Sequence, residues 1–110
     1  MRMNALPPVV TLCGSTRFRD EFLAETRRLT LAGNIVISVG VFAHHEIGFD
    51  PDGPTKAMLD ELHLRKIDMA GSIHVIDPGG YVGTSTRREI AYAIECGKTV
   101  TYYSSEDTTS

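Results

Sequence analysis

The sequence predicts an α/β protein: a small doubly wound, flavodoxin- or Rossmann-like parallel sheet of four strands, order 2-1-3-4, with helices on both faces. Two observations carry this. Short, uncharged, β-branched runs alternate with stretches of helical apolar spacing, a pattern that implies parallel pairing through right-handed crossovers. The first and third of these runs end in loops rich in glycine and hydroxyl side chains, as strands do beside a ligand-binding switch point. The 110 residues make one domain, 1–110.

Each element has its own signal. Pro7-Pro8 delays the first strand. Val9–Cys13, VVTLC, is the apolar run of a strand buried on both faces. Ser15 or Thr16 can cap the helix that follows, and Asp20 and Glu21 suit its positive end. Phe18–Ala32 places Phe18, Phe22, Leu29 and Ala32 at helical spacing, with Gly33-Asn34 as its stop. Ile35–Phe42, IVISVGVF, reads as the second strand. Ala43–Pro54 reads as a long loop of the kind that is often functional.

Thr55–Ala70 reads as the second helix, its core stripe made by Met58, Leu59, Leu62, Met69 and Ala70, with His63 and Lys66 on or beside it. Leu64 and Ile67 then fall off the stripe and suggest a dimer through helices two and three. Ser72–Asp77 is the third strand, Thr86–Cys96 the third helix, and Thr99–Tyr103 the fourth strand. Ser104–Ser110 reads as a frayed end.

Composition excludes several classes. Net charge is −3, and the four Tyr and four Phe do not interleave with basic residues, which argues against a nucleic-acid groove. No apolar run approaches the ~18 residues of a membrane span, and Met1–Pro8 lacks the apolar core of a signal peptide. A cytoplasmic protein is expected, with Cys13 and Cys96 as small buried hydrophobes. A small single core of this size favours a homo-oligomer.

Two loops carry chemistry. Cys13-Gly14-Ser15-Thr16-Arg17 follows the first strand; Asp77 through Thr86, with Gly80, Gly83, Thr84 and Ser85, follows the third. At a switch point they face one crevice, where backbone N–H groups, hydroxyls and Arg17 suit a phosphate monoester. Good turns and caps need the same residue types. Glu89 has two readings. Thr86-Arg87-Arg88-Glu89 fits a capping box, in which the glutamate only bonds the cap's backbone. Alternatively, Glu89 is a nucleophilic carboxylate aimed at a sugar's anomeric carbon, kept ionised by the helix start and by Arg87 and Arg88.

Asp77 reads as a catalytic or ribose-binding acid, or as a turn-initiating Asp before proline. His63 reads as a satisfied core histidine or as a proton donor. His44-His45-Glu46 with Asp50 matches no metal-ligand spacing, so no metal and no cofactor are expected.

These residues resemble the nucleoside 2-deoxyribosyltransferase-like superfamily, which includes the nucleoside 5′-monophosphate N-glycosidases. Cys13-Gly14-Ser15-Thr16-Arg17 is similar to the first-strand phosphate loop of the monophosphate hydrolases. Glu89-Ile90-Ala91-Tyr92-Ala93, then Gly97-Lys98, is similar to the family's nucleophile helix. The resemblance implies that Glu89 attacks C1′ of the sugar, the base departs, and water or a second base completes the reaction. Thr11 stands where the family often has tyrosine, His63 where it has an acid, and Gly83 where it often has serine, so that Thr84 or Ser85 takes the serine's place. Pro78-Gly79-Gly80-Tyr81-Val82-Gly83-Thr84 with Glu89 also resembles the PGGxGTxxE motif of the "Lonely guy" phosphoribohydrolases, with two insertions. The expected partner is a small nucleoside or nucleotide. The alternative is a non-catalytic nucleotide-sensing module of the same fold, or a structural domain with nothing in the crevice.

Overall fold

The computed structural model describes residues 6–42 and 53–107. Four strands, β1 (Val9–Gly14), β2 (Ile35–Ile37), β3 (Ser72–Ile76) and β4 (Thr99–Tyr102), alternate with three helices, α1 (Arg19–Leu31), α2 (Pro54–Asp68) and α3 (Thr84–Glu95). The sheet is parallel throughout, in the order β2-β1-β3-β4. The predicted fold class is therefore the one observed. No described helix is long and apolar enough to cross a membrane.

Alternation along the central strands divides the core into two layers. Cys13, Ile73 and Val75 point to one face and pack with Ile67 of α2 and Ala93 of α3. Leu12 and Ile76 point to the other and pack with Phe22 of α1. Helix α1 ends where its Gly33-Asn34 stop was expected, and α3 closes in the same way. Asn34 N–H bonds the Leu29 carbonyl past Gly33, and Lys98 N–H bonds the Ala93 carbonyl past Gly97, the closing bonds of a Schellman turn.

Several expectations need correction. The second strand is three residues long, not eight. Its ladder with β1 stops at Thr11–Ile37. Beyond it Lys66 Nζ donates to the Ser38 carbonyl at 2.8 Å and draws the chain off the sheet. Phe42 is then partly buried against the Phe22 ring, edge-on at 5.6 Å. Val36, Val39 and Phe42 are half-covered by packing against the Leu12–Phe22–Ile76 cluster rather than by a ladder.

Helix α2 is turned relative to its predicted stripe. His63, Ile67 and Ala70 are buried, while Met58 (51% exposed), Leu62 (47%) and Met69 (71%) face outward. Leu64, expected off the stripe, packs against the core with Ile67. The inward stripe runs Lys56, Asp60, His63, Ile67, so its first half is polar and no apolar period marks it.

Neither Ser15 nor Thr16 caps α1, whose N-cap position is Phe18. Cys96 is exposed rather than buried, and both cysteines are free thiols. Ser104–Asp107, expected to fray, forms a 3-10 turn. His44, His45, Glu46 and Asp50 fall outside the described residues.

Candidate functional site

The carboxyl ends of β1 and β3 lie side by side where the strand order reverses, and a cleft of about 460 Å³ opens there. Its rim is the β1–α1 loop, Gly14 to Arg17, and the start of α3, Gly83 to Thr86. Val39, Gly40 and Val41 form one wall, and the inward stripe of α2 forms the other. Gly14 is required where β1 enters the cleft. Its φ is +155°, and a Cβ there would meet the Ile76 carbonyl oxygen at 2.7 Å, so a side chain would push β1 and β3 apart.

The first loop is internally braced. Ser15 Oγ accepts from the Arg17 backbone N–H at 3.3 Å and from Arg17 Nε at 3.2 Å. The Arg17 guanidinium lies 4.7 Å from the centre of the Tyr81 ring, whose edge meets Phe18. On the facing side α3 begins after Gly83 with no side-chain cap. The N–H groups of its first turn are therefore not satisfied by a side chain and point towards the cleft rim, an arrangement suited to an anion.

The capping-box reading of Glu89 does not survive. Thr86 lies inside α3, whose N-cap is Gly83, so Glu89 falls in the second turn and reaches the cleft floor. There His63 Nε2 lies 3.8 Å from Glu89 Oε1 and 3.4 Å from Cys13 Sγ. The ionisation of the trio is set chiefly by burial. Burial pushes Glu89 up to about 7, helped by the Asp60 carboxylate and opposed by Lys56, the Cys13 hydrogen bond and Arg88. Burial pulls His63 down to about 4, helped by Lys66. Burial, then the Glu89 charge, raises the Cys13 thiol. The imidazole is thus neutral at pH 7, and its 3.8 Å contact with Glu89 is not an ion pair. The expectation that the helix start and two arginines hold Glu89 fully ionised is overturned, because desolvation outweighs them.

Of the residues singled out in the sequence, Gly14, Ser15, Thr16, Arg17, His63, Gly83, Thr84, Ser85 and Glu89 line one cleft. Asp77 and Gly80 do not. The Asp77 carboxylate is buried and accepts the Ser104 N–H and Oγ, each at 2.8 Å. It fastens the segment after β4 to the end of β3. Gly80 belongs to the 3-10 turn Pro78–Gly80, its N–H bonded to the Asp77 carbonyl.

Sequence reasoning missed Cys13 and Tyr81 as parts of the site, and Lys56 and Asp60 on the polar stripe of α2. Lys56 Nζ grips both oxygens of Asp60 at 2.6 and 2.7 Å, and Lys66 is held by Ser38. The signal was present in the spacing Lys56, Asp60, His63, Ile67, which continues a buried residue's face with polar ones. Among the described residues, Cys13, His63 and Glu89 bring sulfur, nitrogen and oxygen donors within 4.8 Å of one another.

No protein-family model matches this sequence, and no curated protein matches it.

Proposed function

We propose that the chain cleaves the N-glycosidic bond of a nucleoside or nucleoside 5′-monophosphate, with Glu89 as nucleophile. The observation that carries this is one juxtaposition: a largely buried carboxylate on the cleft floor, beneath two loops that offer an anion hydroxyls, uncapped backbone N–H groups and Arg17. A phosphate seated on the rim holds the sugar's C1′ over Glu89, and the apolar wall of Val39, Val41 and Leu59 accommodates a planar base.

The chemistry follows from that placement. A Glu89 oxygen attacks C1′ as the C1′–N bond breaks, and the bonding pair leaves with the base, which takes a proton from water in the open cleft. Water then attacks C1′, the glycosyl ester breaks, and Glu89 recovers its carboxylate. His63 does not serve as the proton donor in this scheme, since burial keeps it neutral at pH 7. Asp60, pinned by Lys56, raises the basicity of Glu89.

Free thiols at Cys13 and Cys96 suit a cytoplasmic setting, and the outward Met58 and Leu62 of α2 suit self-association. A second reading, a nucleotide-sensing module, draws on the protonation of Glu89, since a carboxyl half neutral near pH 7 is a poor nucleophile.

Chromatography of free base released from ribo- and deoxynucleosides and their 5′-monophosphates tests the two readings. Base release that disappears in Glu89→Gln is expected. Saturable binding with no release from any substrate would move the assignment to the sensing module.

A further inference from the structure

Three donor types converge beneath the cleft from three elements: Cys13 Sγ from β1, His63 Nε2 from α2 and Glu89 Oε1 from α3. Sulfur and nitrogen are 3.4 Å apart, nitrogen and oxygen 3.8 Å, and all three donors lie within 4.8 Å of one another. A tetrahedral zinc ion, with its usual bond lengths to sulfur, nitrogen and oxygen, places its ligand atoms about 3.3–3.6 Å apart. The sulfur–nitrogen and nitrogen–oxygen separations already match that range to a few tenths of an ångström.

The His63 ring is already oriented for such a role. His63 Nε2 faces Cys13 Sγ at 3.4 Å and Glu89 Oε1 at 3.8 Å, so the neutral tautomer protonated on Nδ1 directs the Nε2 lone pair at the cluster.

The donor set also selects the ion. Thiolate and imidazole favour a borderline, thiophilic divalent cation of the zinc class over Mg²⁺ or Ca²⁺, which prefer all-oxygen cages. Thiolate and carboxylate together balance two positive charges. Cys13 is fully buried, whereas His63 and Glu89 line the cleft, so a fourth coordination position opens to the cleft, as in zinc sites with three protein ligands.

We propose that Cys13, His63 and Glu89 form a three-ligand site for a divalent cation of the zinc class, and that the ion competes with catalysis by engaging the Glu89 carboxylate. The second half rests on the proposed glycosidase reading; the first does not.

The test uses the full chain carrying Cys96→Ser, which removes the exposed thiol, stripped with a chelator and titrated with Co²⁺. One Co²⁺ per chain is expected, with a near-ultraviolet thiolate-to-cobalt charge-transfer band that Zn²⁺ displaces. Absence of that band overturns the site. His63→Ala in the same background lowers Co²⁺ affinity at least about tenfold, with folding checked by circular dichroism; unchanged affinity in the folded variant also overturns it. Base release is followed in parallel. Saturating Zn²⁺ reduces it at least about tenfold, and chelation restores it. A cobalt band with base release indifferent to Zn²⁺ overturns the competition. If no nucleotide yields base under any condition, the glycosidase reading fails while the cobalt band still decides the metal site.

Discussion

The two faces of the sheet each hold a largely buried glutamate beside a buried histidine, and the two pairs are built differently. Behind the sheet, Glu25 of α1 accepts two bonds from Arg28, at 2.9 and 3.1 Å, and one contact from His74 Nε2 at 2.9 Å. His74 is held in turn by Thr101 Oγ1 at 2.7 Å. In front, Glu89 faces His63 across 3.8 Å, and no described lysine or arginine comes within ion-pair distance of it. Both carboxylates are largely withdrawn from water. The rear one is matched bond for bond; the front one keeps its burial penalty, and its proton affinity rises accordingly. Burial alone therefore does not mark a site. Burial of a carboxylate without a paired cation does.

The comparison breaks most directly at Glu89. Glu89→Gln is expected to lower base release at least about 10³-fold while raising stability at pH 7 by roughly 2–3 kcal/mol, since it removes a carboxylate whose charge burial penalises. Chromatographic base release and urea unfolding at pH 7 check the two halves. Glu25→Ala should do the opposite. It removes the carboxylate that both His74 and the half-exposed Arg28 contact and costs roughly 2–4 kcal/mol, with base release per folded molecule preserved.

A pH titration sharpens the contrast, and its signs oppose one another. His63, depressed to about 4, makes the folded state gain stability as pH rises from 4 to 6.5, because the unfolded chain binds the extra proton. Glu89, raised to about 7, makes it lose stability from 4.5 to 7. In the metal-free protein the two slopes largely cancel. Glu89→Gln should expose the rising limb and His63→Gln the falling one, each on the order of 2–3 kcal/mol in urea unfolding across pH. Base release should climb as pH passes about 7 and Glu89 ionises. Asp60→Asn removes a neighbouring negative charge that raises Glu89, so its activity profile should shift towards lower pH. The smallest expected effect is at Asp77. Asp77→Ala loses two bonds to Ser104 and should cost about 1–3 kcal/mol without moving the pH profile of base release.

Legibility in the sequence followed the same division. Strands buried on both faces and glycine-stopped helices were readable, because packing and turn chemistry leave periodic traces. So was the meeting of Ser15, Arg17, Thr84 and Glu89, because switch-point geometry follows from strand order. The face of α2 was not, since Lys56, Asp60 and His63 occupy inward positions that a core-seeking eye fills with Met58 and Leu62. Asp77 looked catalytic because its partner, Ser104, lies in a segment with no apolar signal. Cys13 looked like a strand hydrophobe, and only the crossing of α2 over β1 gives it neighbours. The rear Glu25–His74 cluster left no trace, since a helical glutamate ordinarily faces water.

The pairing of β1 with β3 carries a consequence for how the chain acquires its fold. Val10 lies opposite Ser72 and Gly14 opposite Ile76, so the central ladder joins segments some sixty residues apart. Closing so long a loop is entropically slow. During synthesis the first strand must wait, unpaired on this side, until the third has emerged from the ribosome. The rim formed by α3 follows β3 in the chain, so the two rim loops face each other only once the central ladder has closed, and the cleft is completed last.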